Sequence, residues 1–177
     1  MIADFFKKEH GFTMIELTAV LILAGIIAAA AASVVSRQHT NLRGRAGALE
    51  SHIRYARALA MSTDEDNWGV RFDMGSDEYW LFHCQTGQTC GWDDNKTRIP
   101  GTKHKTVDLK DYKLGISSTS HGGNTVTLAF DNFGTPYWAE DEEVLENRLE
   151  NSFTATLSDN SANTRDIKVI PVTGAVP

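Results

Sequence analysis

Residues 12–35 read FTMIELTAVLILAGIIAAAAASVV and contain one charged side chain, Glu16. Thr13, Thr18 and Ser33 are the other polar residues, and no proline interrupts the run. A helix rising 1.5 Å per residue would make this segment roughly 36 Å long, enough to cross a hydrocarbon core of about 30 Å. Its length and its apolar character on all sides argue against a core helix of a small domain. A secretory signal peptide is the second alternative, since AAAAAS imitates a cleavage site. A signal peptide, however, has an apolar run of only about 7–15 residues. The segment before the run, MIADFFKKEHG, is short, carries Lys7 and Lys8, and ends on Gly11. Glu16 is the most informative residue. A carboxylate inside a membrane helix costs about 2.5–3.5 kcal/mol by insertion scales and marks a functional position by default. The plainer reading is a Glu solvated near the headgroups, because it lies only five residues into the run.

The order Gly11, Phe12, Glu16 and then a long apolar run resembles the start of a type IV prepilin or pseudopilin. The resemblance implies that a prepilin peptidase cuts between Gly11 and Phe12 and then N-methylates Phe12. It implies that residues 12–35 remain as transmembrane anchor and assembly helix. Glu16 would set the register by pairing with the new α-amine of a neighbouring subunit. The implied partners are the peptidase, other pilin or pseudopilin subunits, an inner-membrane assembly platform and the lipid bilayer. The implied location is the inner membrane, single-pass with a periplasmic C-terminal head, followed by a pilus or pseudopilus. Charge counting alone favours the opposite orientation: Arg37, Arg43, Arg45, Arg54 and Arg57 follow the anchor with only Glu50 against them. The leader motif requires the head outside. Ser33 stands where many pilins carry a kinking proline, which predicts a continuous helix.

Residues 36–62 hold no proline, and Leu42, Leu49, Ile53, Ala56 and Ala60 recur at helical spacing. This predicts an amphipathic stem ending near Met61 whose stripe packs on a sheet. Beyond it the period changes to two. Trp68, Val70 and Phe72 alternate with Gly69, Arg71 and Asp73, and Gly75-Ser76 marks a turn before Tyr79–Phe82. Further strands are expected around Val107 and Leu109, Leu114 and Ile116, Val126–Phe130, Phe153–Leu157, and Ile167–Val169. The expected fold is therefore α+β: a long N-terminal helix packed on an antiparallel β-sheet or sandwich head. The chain divides into leader 1–11, anchor 12–35, stem 36–62 and β-rich head 63–177.

The head brings a second resemblance. LESHIRYARALAM, WGVRFD, VTLAFDNFGTP and DIKVIPVTGAV are similar to segments of the H-type pseudopilin and FimT-like minor pilin family. The matching positions are Ala56-Arg57 with Ala60, Phe130 to Gly134, and Val169 to Val176. Residues 137–150, YWAEDEEVLENRLE, depart from the family's short hairpin. They are expected to form a helix with Val144, Leu145 and Leu149 on its apolar face, facing a partner.

Cys84 and Cys90 enclose QTGQT. Outside the cytoplasm a loop this short, with Gly87 inside it, can carry a disulfide between hairpin strands. The alternative is a metal site from His83, Cys84, Cys90 and Asp93 or Asp94. The six histidines are scattered at 10, 39, 52, 83, 104 and 121, and none has a zinc-binding spacing. No nucleophile elbow, P-loop or dinucleotide fingerprint is present. Neither enzymatic activity nor a cofactor or metal is expected. Asp64, Asp66 and Asp73 lack the glycine and closing glutamate of an EF-hand.

The chain carries 17 Lys+Arg against 23 Asp+Glu over 177 residues. After Arg57 the balance is −9. This argues against nucleic acid as a partner, although Lys96, Arg98, Lys103, Lys105, Lys110 and Lys113 form a local basic run. The expected function is a structural one, a minor pilin or pseudopilin of a type IV pilus or type II secretion pseudopilus. The alternative is a tip adhesin or a DNA-binding minor pilin in DNA uptake, with Trp92 and Trp138 as candidate ligand contacts.

Overall fold

The apolar stripe of the stem finds its sheet. The computed structural model describes residues 13–64, 66–85, 95–140, 147–171 and 173–177, without the side chains of 30–40 and 140. Helix α1 spans Met14–Ser62, and the chain divides into two units, Met1–Gln38 and His39–Pro177. In the second unit Leu42, Leu49, Ile53, Ala56 and Ala60 are all buried, and Ala46 joins them. Alanines at 46, 56 and 60 complete the buried stripe with small side chains. Ser62 and Thr63 close the helix by donating hydroxyl hydrogen bonds to the Leu59 carbonyl, at 2.8 and 3.1 Å.

The strands are β1 (Asp66–Asp73), β2 (Glu78–Gln85), β3 (Lys96–Thr97), β4 (Thr106–Asp108) and β5 (Leu114–Thr119). They continue as β6 (Thr125–Phe130), β7 (Pro136–Glu140), β8 (Asn147–Arg148), β9 (Phe153–Asp159) and β10 (Thr164–Val169). The larger sheet runs β3-β2-β1-β6-β7-β8, with β4 also paired to β2, and the smaller runs β10-β9-β5. Among the described residues every pairing is antiparallel. This is the expected pilin-like α+β class.

One core joins the stem stripe to both sheets. It contains Val70, Phe72, Leu81, Leu128 and Phe130 from the larger sheet and Phe153, Ala155, Leu157 and Ile167 from the smaller. In β9 burial alternates strictly, as a half-buried strand should. In β1 it does not: Gly69 and Arg71 are buried as well as Val70 and Phe72. The reason is a second apolar cluster of Trp80, Phe82, Cys84 and Ala129. Gly69 pairs with Phe82 and Ala129 across neighbouring strands. Arg71 donates to the hydroxyls of Thr127 and Thr125, at 2.8 and 3.2 Å.

The helix expected over 137–150 is not formed where the structure describes it. Residues Pro136–Glu140 are a strand in register with β6, and Asn147–Arg148 pair back onto Tyr137 and Trp138. The Leu149 amide donates to the Pro136 carbonyl at 2.9 Å, and the Leu149 side chain is buried. A free edge of β6 captures this segment, and Tyr137, Trp138 and Ala139 supply the side chains a pleated surface accepts. Residues 141–146, with Val144 and Leu145, lie outside the described residues.

Three stem cations reach into the head. The Arg45 guanidinium lies 3.3 Å from the centre of the Tyr112 ring. Arg54 donates to the Val176 carbonyl at 2.9 Å and 3.3 Å, and Arg57 to the Gly134 carbonyl at 3.4 Å. Gly174 adopts φ +61°, and a Cβ there would lie 2.6 Å from the Gly134 carbonyl oxygen. Residues 174–176 and the β6–β7 turn are thus wedged together beside the end of α1. Arg54→Ala should lower stability by about 1 kcal/mol, the value of an ordinary net hydrogen bond, read by urea denaturation of the head.

Two histidines bridge elements. His52 of α1 and the Tyr79 hydroxyl are 3.0 Å apart. His121 packs on Trp138 and Phe153, at ring separations of 4.4 and 5.7 Å. Burial lowers the pKa of both imidazoles from 6.5; at His52 the Pro100 carbonyl opposes the shift and Arg45 adds to it. As pH falls, the unfolded chain therefore takes up these protons first. Stability is full above about pH 6.5 and declines as acidification proceeds towards the folded-state values. Urea midpoints at pH 7.5 and 5.5 check this, and His121→Phe should reduce the difference.

Candidate functional site

The N-terminal segment carries the residues that the sequence singles out. Gly11 and Phe12 lie outside the described residues. Glu16 is in the first turn of α1. Thr13 precedes the helix, and its hydroxyl accepts the Glu16 amide at 3.3 Å. Its carbonyl accepts the Leu17 amide at 3.1 Å. Thr13 is therefore the N-cap and Glu16 the N3 residue of a T-x-x-E start, one half of a capping box. Thr18 turns its hydroxyl back onto the Ile15 carbonyl at 2.9 Å, removing a polar group from the outward surface. A carboxylate one turn into a helix is also favoured by the positive end of the macrodipole. Sequence reasoning missed the cap, although the T-x-x-E spacing was legible.

The rest of the segment is apolar and uncovered. Met14, Ile15, Leu17, Val20, Leu21, Ile22, Leu23, Ile26 and Ile27 are each 54–84% exposed. At about 1.5–3 kcal/mol for full burial of one such side chain, covering nine yields on the order of 10–20 kcal/mol. Water is a poor solvent for this surface, and lipid or other apolar helices are good ones. Among the described residues no helix is long and apolar enough to cross a membrane. The described side chains cover the apolar run only from 13 to 29.

The remaining candidates are dispersed. Cys84 is buried at the end of β2, and Cys90 lies outside the described residues. His83 alternates to the other face of the strand, stacks on Trp68 at 5.0 Å and shares a 3.1 Å hydrogen bond with Thr97. Asp93 and Asp94 lie outside the described residues. Among the described residues no three His, Cys, Asp or Glu side chains are grouped to hold a metal. Asp73 accepts the Gly75 and Ser76 amides as a turn residue, apart from Asp64 and Asp66. Trp138 packs against the core and His121, and Trp92 lies outside the described residues. The basic run is divided. Lys96 sits 4.1 Å from the Trp80 ring centre. Lys103 and Lys105 line a cleft of about 800 Å³ that also presents Glu78, Asp108 and Asp111.

The described N-terminal residues thus form a capped helix start with exposed apolar side chains, ahead in sequence of a β-rich head. Residues 6–32 match the family described as the prokaryotic N-terminal methylation motif. The match supports a type IV prepilin-like protein and a structural subunit. No curated protein and no solved structure matches the chain.

Proposed function

We propose that the protein is a minor pilin or pseudopilin, a structural subunit of a type IV pilus or type II secretion pseudopilus. The observation that carries the reading is the methylation motif over residues 6–32, with Glu16 in the first turn of a helix whose apolar side chains are exposed. Prepilin peptidase removes residues 1–11 and methylates the amine of Phe12. The segment 12–35 then holds the chain in the inner membrane with the head in the periplasm, until neighbouring subunits replace the lipid. Glu16 neutralises the Phe12 amine of an adjacent subunit, which fixes the axial register. In that oxidising compartment Cys84 and Cys90 form a disulfide, a reading supported by the absence of a free cysteine among the described residues. The test is co-expression of the full chain with a prepilin peptidase, followed by intact-mass measurement. The expected product begins at N-methylated Phe12. A chain that keeps residues 1–11 beside a demonstrably active peptidase overturns the reading.

A further inference from the structure

The cleft of about 800 Å³ beside the stem has the size of a small-ligand site. It holds charges of both signs and keeps them apart. Glu78 and Asp108 are direct partners on β2 and β4, and Asp111 belongs to the same lining. Lys103 and Lys105 stand on the loop before β4, and Arg45 on the stem. Among the described residues no ion pair joins the two sets. The Arg45 guanidinium is held on the Tyr112 ring, 3.3 Å from its centre. The Asp108 carboxylate accepts the Lys110 amide at 2.8 Å. Like charges directly opposite on neighbouring strands repel, so Glu78 and Asp108 gain from a cation that the fold itself does not supply. Lys103 and Lys105, both exposed, gain in the same way from an anion. The floor is closed, since His52 and the Tyr79 hydroxyl are 3.0 Å apart and satisfy each other.

The cleft also offers backbone. Among the described residues β4 pairs only with β2. The Leu109 amide donates to the Asp77 carbonyl at 3.0 Å, one step beyond the Glu78–Asp108 pair. Bonded and non-bonded positions alternate along an antiparallel ladder. Val107 therefore faces β2, and the amides and carbonyls of Thr106 and Asp108 face the open edge. Both residues line the cleft. An edge of this kind pairs with an extended chain laid alongside it.

We propose that the cleft binds a short peptide with free ends, extended along β4. Its ammonium meets Glu78 and Asp108, its carboxylate meets Lys103 and Lys105, and its backbone pairs with Thr106 and Asp108. Three extended residues place their end charges roughly 10 Å apart, beyond ion-pairing distance, as the two charge sets of the cleft are. A ligand with one charge leaves one set unmet, and a polyanion is repelled by Glu78, Asp108 and Asp111. The site is independent of processing at Phe12 and of assembly.

The test is calorimetric titration of the full chain in nonionic detergent micelles. The probes are trialanine, N-acetyl-trialanine, trialanine amide and phosphoethanolamine. Trialanine should bind saturably, and each blocked form at least tenfold more weakly. Glu78→Gln/Asp108→Asn should weaken trialanine at least tenfold and abolish the penalty of acetylation while keeping that of amidation. Lys103→Gln/Lys105→Gln should do the converse. Thr106→Pro, tolerated on an edge whose amide faces outward, should weaken trialanine and preserve both penalties. Thermal melts establish which variants fold. Wild type that does not bind trialanine, equal affinity for free and blocked forms, or penalties that survive in both charge variants overturn the proposal. Phosphoethanolamine bound as tightly as trialanine overturns the peptide class, because it has no backbone to pair. Failure here with normal processing at Phe12 would leave the subunit reading standing, and failed processing with intact peptide binding would overturn only that reading.

Discussion

Glu16→Ala is expected to leave membrane insertion and removal of residues 1–11 intact while reducing incorporation into filaments by at least about 100-fold. Removing one partner of a charge pair in a low-dielectric bundle leaves the other charge uncompensated, at about 3–5 kcal/mol. The measurement compares the sheared-filament fraction with the membrane fraction by immunoblot. Glu16→Gln separates two roles of the residue. Glutamine keeps the N3 position of the T-x-x-E start usable as a cap and removes the charge. Incorporation of Glu16→Gln at the wild-type level would sink the pairing idea and leave Glu16 as a helix-starting residue only.

Gly69→Ala is expected to cost the head about 3 kcal/mol, at the upper end for overpacking, and about 10 °C in melting temperature for a unit of this size. A Cβ at Gly69 would lie 2.6 Å from the Phe82 ring and 2.8 Å from the Ala129 Cα, and closer still to the Leu128 carbonyl oxygen. Two of these three obstacles are backbone of β6, so no rotamer change relieves them. Gly47→Ala provides the opposite sign. Nothing lies within 4 Å of a Cβ at that helical position, and alanine should stabilise by about 0.5–1 kcal/mol. Paired calorimetric melts check both; equal melting temperatures for Gly69→Ala and wild type would remove the close-approach argument.

The stem stripe was legible because helical periodicity is a local signal, and the residues it named are those that pack. Most strands were legible for the same reason, through alternation in β1, β6 and β9. What the sequence hid depends on residues far apart. Burial on both faces of β1 follows from Phe82 and Ala129 crossing over Gly69, which alternation cannot show. The run after Tyr137 reads as acidic and helical, yet the open edge of β6 decides its conformation, so β7 was missed. Arg45, Arg54 and Arg57 read as a basic stem that contradicted the orientation, whereas the structure occupies them with Tyr112, Val176 and Gly134. At the N-terminus the motif was fully legible and the cap at Thr13 was not extracted from it. Gly11, Phe12 and Cys90 lie outside the described residues, so their roles rest on the sequence.

The contact from Arg54 to Val176 spans 122 positions, and this has a consequence in time. A chain that emerges N-terminal end first exposes the Leu42–Ala60 stripe long before residues 174–176 arrive. Non-local closures of this kind are slow steps. Until both sheets close over it, the stem presents an uncovered apolar face to its surroundings. A folding factor that shields amphipathic helices would act in that interval.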